Sequence, residues 1–182
     1  VLSHADDRIG EVLDALDRLK ITDNTLVIFS SDNGPARAAT PTELKSYLDT
    51  ATGIGYNIAA SKGITGGRKA YKAALFEGGI GVPFIARWPG KIKAGMVDSV
   101  SLLSAVDLLP TFCEIAGVDL PTSYQADGIS QVATLFGKPY PVRTKALFWK
   151  MQAAWPRNEK RPDHWVSYAI VDKTWKLVAN HE

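Results

Sequence analysis

From Asp6 to Lys20 the apolar residues Ile9, Val12, Leu13, Leu16 and Leu19 recur at steps of three and four, with Asp7, Arg8, Glu11, Asp14, Asp17 and Arg18 on the opposite side. This spacing predicts an amphipathic helix. After the breaker Thr22-Asp23-Asn24, the run Thr25 to Ser30 is apolar and β-branched with little alternation, the pattern of a strand buried on both faces of a parallel sheet. Val82 to Trp88 reads as a second buried strand beside the first, closed by Pro89-Gly90. Between them, Asp32 to Lys72 shows no strand pattern and is rich in small residues, and connections of that length usually carry function. Asp107 to Ala116 predicts a helix with Leu108, Leu109, Phe112, Ile115 and Ala116 on its inner side, Pro110 in its first turn and a stop at Gly117. Gly128 to Phe136 predicts a further short helix.

Beyond Pro139 and Pro141 the texture changes. Trp149, Trp155, Trp165 and Trp175 fall here, with strand-like runs at Ala146 to Lys150, Val166 to Val171 and Trp175 to Ala179. The last two flank Asp172-Lys173-Thr174 and predict an antiparallel hairpin. Helix followed by buried strand indicates an α/β fold. Residues 1–141 are expected to belong to the α/β domain, and residues 142–182 to begin a small antiparallel subdomain.

Composition narrows the class. The chain has 182 residues, enough for one domain, and with 46% hydrophobic and 22% charged residues it is neither disordered nor fibrous. Cys113 is the only cysteine, which excludes an internal disulfide and any thiolate zinc site needing two cysteines. The longest uncharged apolar stretch, Gly78 to Ala86, is far too short for a membrane span. Val1 is not an initiating Met and its surroundings do not form a signal peptide, so the sequence reads as part of something longer, with any localisation signal upstream. The net charge of +2 is distributed in alternating blocks: −4 over 1–36, +6 over 37–95, −5 over 96–137 and +5 over 138–182. An acidic block beside a basic one suits a site holding a cation next to an anion, although it also fits an ordinary solvated surface, and nothing in it calls for nucleic acid.

Two segments carry candidate chemistry. Ser30-Ser31-Asp32-Asn33-Gly34 follows the first strand at its carboxyl end, where open α/β sheets bind ligands. Asp32 and Asn33 offer hard oxygen donors suited to Ca²⁺ or Mg²⁺, and Gly34 permits a sharp turn; the same tripeptide is also a common turn with no ligand. The stretch Gly66 to Gly79 combines glycines with Arg68, Lys69 and Lys72, cations able to meet a sulfate or phosphate oxygen or simply to form a solvated basic loop. Glu77 fits a salt bridge better than a metal ligand. His4, His164 and His181 have no metal-ligand spacing, and Cys113 beside Phe112 fits a packed thiol. A Gly-x-Ser-x-Gly elbow, a phosphate-binding loop and a dinucleotide fingerprint are all absent.

Together these pieces resemble the sulfatase family, the formylglycine-dependent arylsulfatases of the alkaline phosphatase superfamily. The likeness is carried by Asp6 to Leu16, Asn24 to Gly34, Phe76 to Gly90, Asp107 to Thr111, Ala126 to Ser130 and Trp175 to Val178. The resemblance implies a partial alkaline-phosphatase-like mixed sheet flanked by helices, from the C-terminal part of such an enzyme. It also implies that Asp32 and Asn33 complete a Ca²⁺ cage, with Mg²⁺ as the alternative, and that Lys72, five residues before Glu77, contacts the sulfate of the substrate; Lys69 takes that role if the loop is gapped. Related phosphoesterases usually carry Asp-His where Asp32-Asn33 stands, which favours sulfate over phosphate esters. The departures are equally specific. The Cys- or Ser-x-Pro-x-Arg segment that yields formylglycine, two N-terminal metal aspartates and the catalytic His have no counterpart here, and Gly81 stands where many relatives have Arg. The resemblance therefore implies sulfate ester hydrolysis only together with an N-terminal half, a sulfate ester substrate of carbohydrate type, and a periplasmic or secreted location. The alternatives are a phosphoesterase or phosphonate hydrolase of the same superfamily, or a non-catalytic binding domain. Trp155, Arg157, Arg161, His164 and Trp165 are expected either to pack the small sheet or to line a sugar-binding rim.

Overall fold

A computed structural model describes residues 2–36, 63–139, 143–151 and 166–180. The aromatic and basic positions from Trp155 to Trp165, and His181, lie outside the described residues. The predicted first helix is present as α1, Leu2–Arg18. Its apolar stripe is exposed at Val12 (57%) and Leu19 (64%), so the face that the periodicity marks as core-seeking is open in this chain. Strand β1, Val27–Ser30, pairs with β2, Phe84–Arg87, in a two-stranded sheet. Both strands are where the apolar runs predicted them. They are not buried on both faces, however: Phe29 and Ile85 are exposed, because each strand has only the other as its neighbour among the described residues.

The four-residue helix α2, Glu77–Ile80, precedes β2. Helix α3, Leu108–Ala116, ends as expected at Gly117 with φ of 66°. Its buried side is not the predicted one. Leu109 and Phe112 remain exposed, while Pro110 and Thr111 are buried, because polar anchoring at Asp107 sets the rotation of the helix. Asp107 is fully buried and accepts from the N–H groups of Ser104 and Ile129, each at 2.9 Å, and from the Arg143 guanidinium. The Thr111 hydroxyl donates to the Asp107 carbonyl at 2.6 Å and accepts from the Gln131 N–H at 2.9 Å. Helix α4, Val132–Leu135, lies within the segment predicted as helical.

The C-terminal strands β3, Leu147–Lys150, β4, Tyr168–Asp172, and β5, Trp175–Ala179, form an antiparallel sheet in the order β3-β4-β5. Asp172 pairs with Trp175 across the predicted hairpin, whose loop residue Lys173 has φ of 54°. Val166 and Ala169 bury with Leu75 in one cluster, flanked by Phe76, Ile80, Trp149, Met151 and Val178.

The chain divides into two compact units, each assembled from two segments. One comprises Val1–Phe29 and Phe84–Lys145; the other comprises Ser30–Pro83 and Ala146–Glu182. The second unit contains Asp32, Asn33 and Lys72 together with the antiparallel sheet. No helix among the described residues is long and apolar enough to cross a membrane.

Candidate functional site

The chain turns as soon as β1 ends. The Ser30 hydroxyl donates to the Pro83 carbonyl at 2.9 Å, and the Ser31 hydroxyl to the Asn33 carbonyl at 3.0 Å, which fixes the turn that displays Asp32 and Asn33. Asn33 Nδ2 donates to the Gly34 carbonyl at 3.2 Å, leaving Oδ1 as the oxygen that a cation would meet. Asp32 is exposed, and its carboxylate has no hydrogen-bond or ion-pair partner among the described residues.

Main-chain bonds bring the Lys72 loop to this turn. The Gly34 N–H donates to the Gly79 carbonyl at 2.7 Å, and the Lys72 N–H donates to the Pro35 carbonyl at 2.9 Å. The loop is closed on itself by the Gly78 N–H donating to the Lys69 carbonyl at 2.7 Å. These contacts explain the glycines. A Cβ on Gly34 would overlap the Gly78 carbonyl, one on Gly78 would overlap the carbonyls of Lys69 and Ala70, and one on Gly79 would overlap that of Ala74. Gly34 is therefore required for close approach of two backbones rather than for the left-handed turn its position in the sequence suggests. Left-handed conformations occur instead at Ala70 and Ala73, with φ of 64° and 70°, on either side of Lys72. Each costs about 1–2 kcal/mol for a residue with a Cβ, and such strain concentrates at functional sites.

Within the loop the two lysines differ. Lys69 Nζ sits 4.2 Å from the Phe76 ring centroid, a cation–π contact. The Lys72 side chain is exposed, and its ammonium has no ion-pair partner among the described residues, which suits an anion-binding role. Glu77 is engaged as a salt-bridge partner, as its sequence context suggested, with Lys176 at 2.5 Å. At Gly81, Arg68 Nη1 donates to the main-chain carbonyl at 3.3 Å. Lys176 and Arg143 were not singled out by sequence reasoning; each meets its partner across a long separation in sequence that leaves no local signal.

The donor set fits a hard divalent cation only in part. Asp32 and Asn33 present two adjacent oxygens, whereas Ca²⁺ takes roughly six to eight. Among the described residues no group of three or more His, Cys, Asp or Glu side chains forms a cage. Asp32 and Asn33 thus suit one side of a shared metal site.

Comparison with known proteins places the chain in a family. The family model described as Sulfatase matches residues 1–118, and that described as N-sulphoglucosamine sulphohydrolase, C-terminal, matches residues 69–182. An N-acetylgalactosamine-6-O-sulfatase of Bacteroides thetaiotaomicron is 36% identical over 148 residues, covering 79% of this chain and 26% of the relative. Arylsulfatase G of Rattus norvegicus is 35% identical over 137 residues, covering 75% of this chain and 24% of the relative. The chain thus spans about a quarter of the length of these relatives. The crystal structure of Ps i-CgsB in complex with k-i-k-neocarrahexaose superposes with a TM-score of 0.68 at 25% identity, covering 96% of this chain and 32% of that one. The fold is a partial α/β fold of the alkaline-phosphatase-like type. The chain belongs to the sulfatase family.

Proposed function

We propose that this chain contributes the C-terminal part of a sulfatase that hydrolyses sulfate esters, with sulfated carbohydrate as the substrate class. The reading rests on one observation above the others: in a chain of this family, main-chain hydrogen bonds join the Asp32-Asn33 turn to the loop that carries Lys72. The names of the relatives, N-acetylgalactosamine-6-O-sulfatase among them, support the carbohydrate substrate.

In this reading the Lys72 ammonium binds an oxygen of the sulfate group and offsets the charge that develops there as the ester bond breaks. The Asp32 carboxylate and Asn33 Oδ1 hold one side of a Ca²⁺ ion, or Mg²⁺ in its place. A divalent cation bound there would polarise the S–O bonds, and formylglycine in the N-terminal part of the longer protein would supply the nucleophile. The close approach of Gly34 to the Gly78-Gly79 segment holds the Asp32-Asn33 turn against the loop that carries Lys72. An amide rather than an imidazole at Asn33 favours a single hard cation and thus a sulfatase over a two-metal phosphoesterase.

The test is an assay of the longer protein on 4-nitrophenyl sulfate and 4-nitrophenyl phosphate. Sulfate should be the faster substrate, and Lys72→Ala should lower kcat/KM by about 100-fold, the scale of losing one charge-stabilising donor. Faster phosphate hydrolysis would make the protein a phosphoesterase. No turnover of either ester or of N-acetylgalactosamine-6-sulfate would make it a binding domain, and full activity in Lys72→Ala would remove Lys72 from the site.

A further inference from the structure

The loop that carries Lys72 is held from the C-terminal sheet as well as from the Asp32-Asn33 turn. Leu75 and Phe76 pack against Val166 and Ala169 in the buried cluster. Directly after them in sequence, Glu77 accepts from the Lys176 ammonium at 2.5 Å, a contact spanning 99 residues of sequence. Lys176 lies on β5 with its side chain only 19% exposed, whereas Glu77 is 54% exposed. Exposed ion pairs contribute little because water competes for both partners and both side chains lose freedom. Here the lysine is already sheltered by the sheet, so the entropy of ordering it is largely spent, and its charge needs a partner. Glu77 in turn opens the short helix whose Gly78 and Gly79 make the main-chain bonds to Lys69 and Gly34. A shift of Glu77 is thus passed on both to the Lys69 end of the Lys72 loop and to the turn that carries Asp32 and Asn33.

We propose that Lys176 is a positioning residue of the sulfate site: through Glu77 it fixes the loop that presents Lys72. The inference rests on the reading of Lys72 as the group that binds the sulfate, and its effect would arise from misplacement, since small displacements of a binding group are costly in rate.

The experiment uses the longer protein with Lys176→Met, Lys176→Arg and the control Lys173→Gln in the hairpin loop. Lys176→Met should lower kcat/KM for 4-nitrophenyl sulfate by about 10- to 100-fold, while Lys176→Arg restores most of the rate and Lys173→Gln leaves it unchanged. Combined with Lys72→Ala, Lys176→Met should cause no further loss, because it acts through Lys72; a general folding defect would add to it instead. Hydrogen exchange gives a readout independent of turnover: peptides spanning 69–81 should exchange about tenfold faster in Lys176→Met, with β3 unchanged. Wild-type rates in Lys176→Met, an undiminished loss in the Lys72→Ala background, or unaltered exchange over 69–81 would overturn the proposal. If the wild-type protein cleaves no sulfate ester, the functional reading fails by itself, and the exchange data alone decide whether Lys176 holds the loop.

Discussion

Gly34, Gly78 and Gly79 in the second compact unit have no slack. Because an added methyl at Gly34 strikes a main-chain carbonyl that no side-chain rotation can move aside, Gly34→Ala should destabilise the chain by about 3 kcal/mol, the upper range for overpacking, as read from urea melts. Asp107 is equally constrained, by charge. Its carboxylate serves two N–H groups and the buried Arg143, so Asp107→Ala leaves a guanidinium without its counter-ion and should cost about 3–5 kcal/mol. The double variant Asp107→Ala with Arg143→Met should lose less than the two singles summed, which a double-mutant cycle measures. Asp98 gives a pH signature. Hydrogen bonds from the side chain and backbone of Ser101 and from the Val100 N–H hold its carboxyl below the ordinary 3.8. A depressed carboxyl stabilises the fold fully above its unfolded value and loses that contribution as pH falls through the folded one, so Asp98→Ala should flatten the acid side of the stability profile below about pH 4.

At the scale of elements, regular periodicity was legible and long-range polar pairing was not. The three-and-four spacing from Ile9 to Leu19 located α1, and the runs flanking Lys173-Thr174 located the hairpin, because both signals are local. The same logic misjudged α3, where periodicity pointed to Leu109 and Phe112 as the inner face. The face is chosen instead by Asp107 and Arg143, 36 residues apart, and no window of sequence holds both. The site follows the same division. Asp32-Asn33 and Lys72 are candidates by their position after a strand and their likeness to a family, while the Lys176–Glu77 contact emerges only once β5 is laid beside the loop. The antiparallel sheet offers a further prediction. Ala169 is 1% exposed and sits between Trp149 and Val178, so Ala169→Leu should cost about 1–3 kcal/mol by overpacking and should also speed exchange in residues 69–81, because Leu75 shares its cluster.

At the scale of the whole chain, two oxygens from one turn are too few to retain Ca²⁺ firmly. Titration calorimetry on the 182 residues alone should give a Kd above about 1 mM, and these residues alone should not turn over 4-nitrophenyl sulfate. Either a tight cation or measurable turnover would mean that the chain carries a nucleophile, or metal ligands besides Asp32 and Asn33. The way the backbone threads its two compact units has a practical corollary for engineering. The polypeptide passes from one unit to the other after Phe29, after Pro83 and after Lys145, so neither is encoded by an unbroken stretch of gene. A chimera meant to carry the Lys72 loop into a relative must therefore graft 30–83 and 146–182 as a matched set. Grafting one piece alone would seat the Lys72 loop on a foreign sheet and break up the cluster shared by Leu75, Val166 and Ala169.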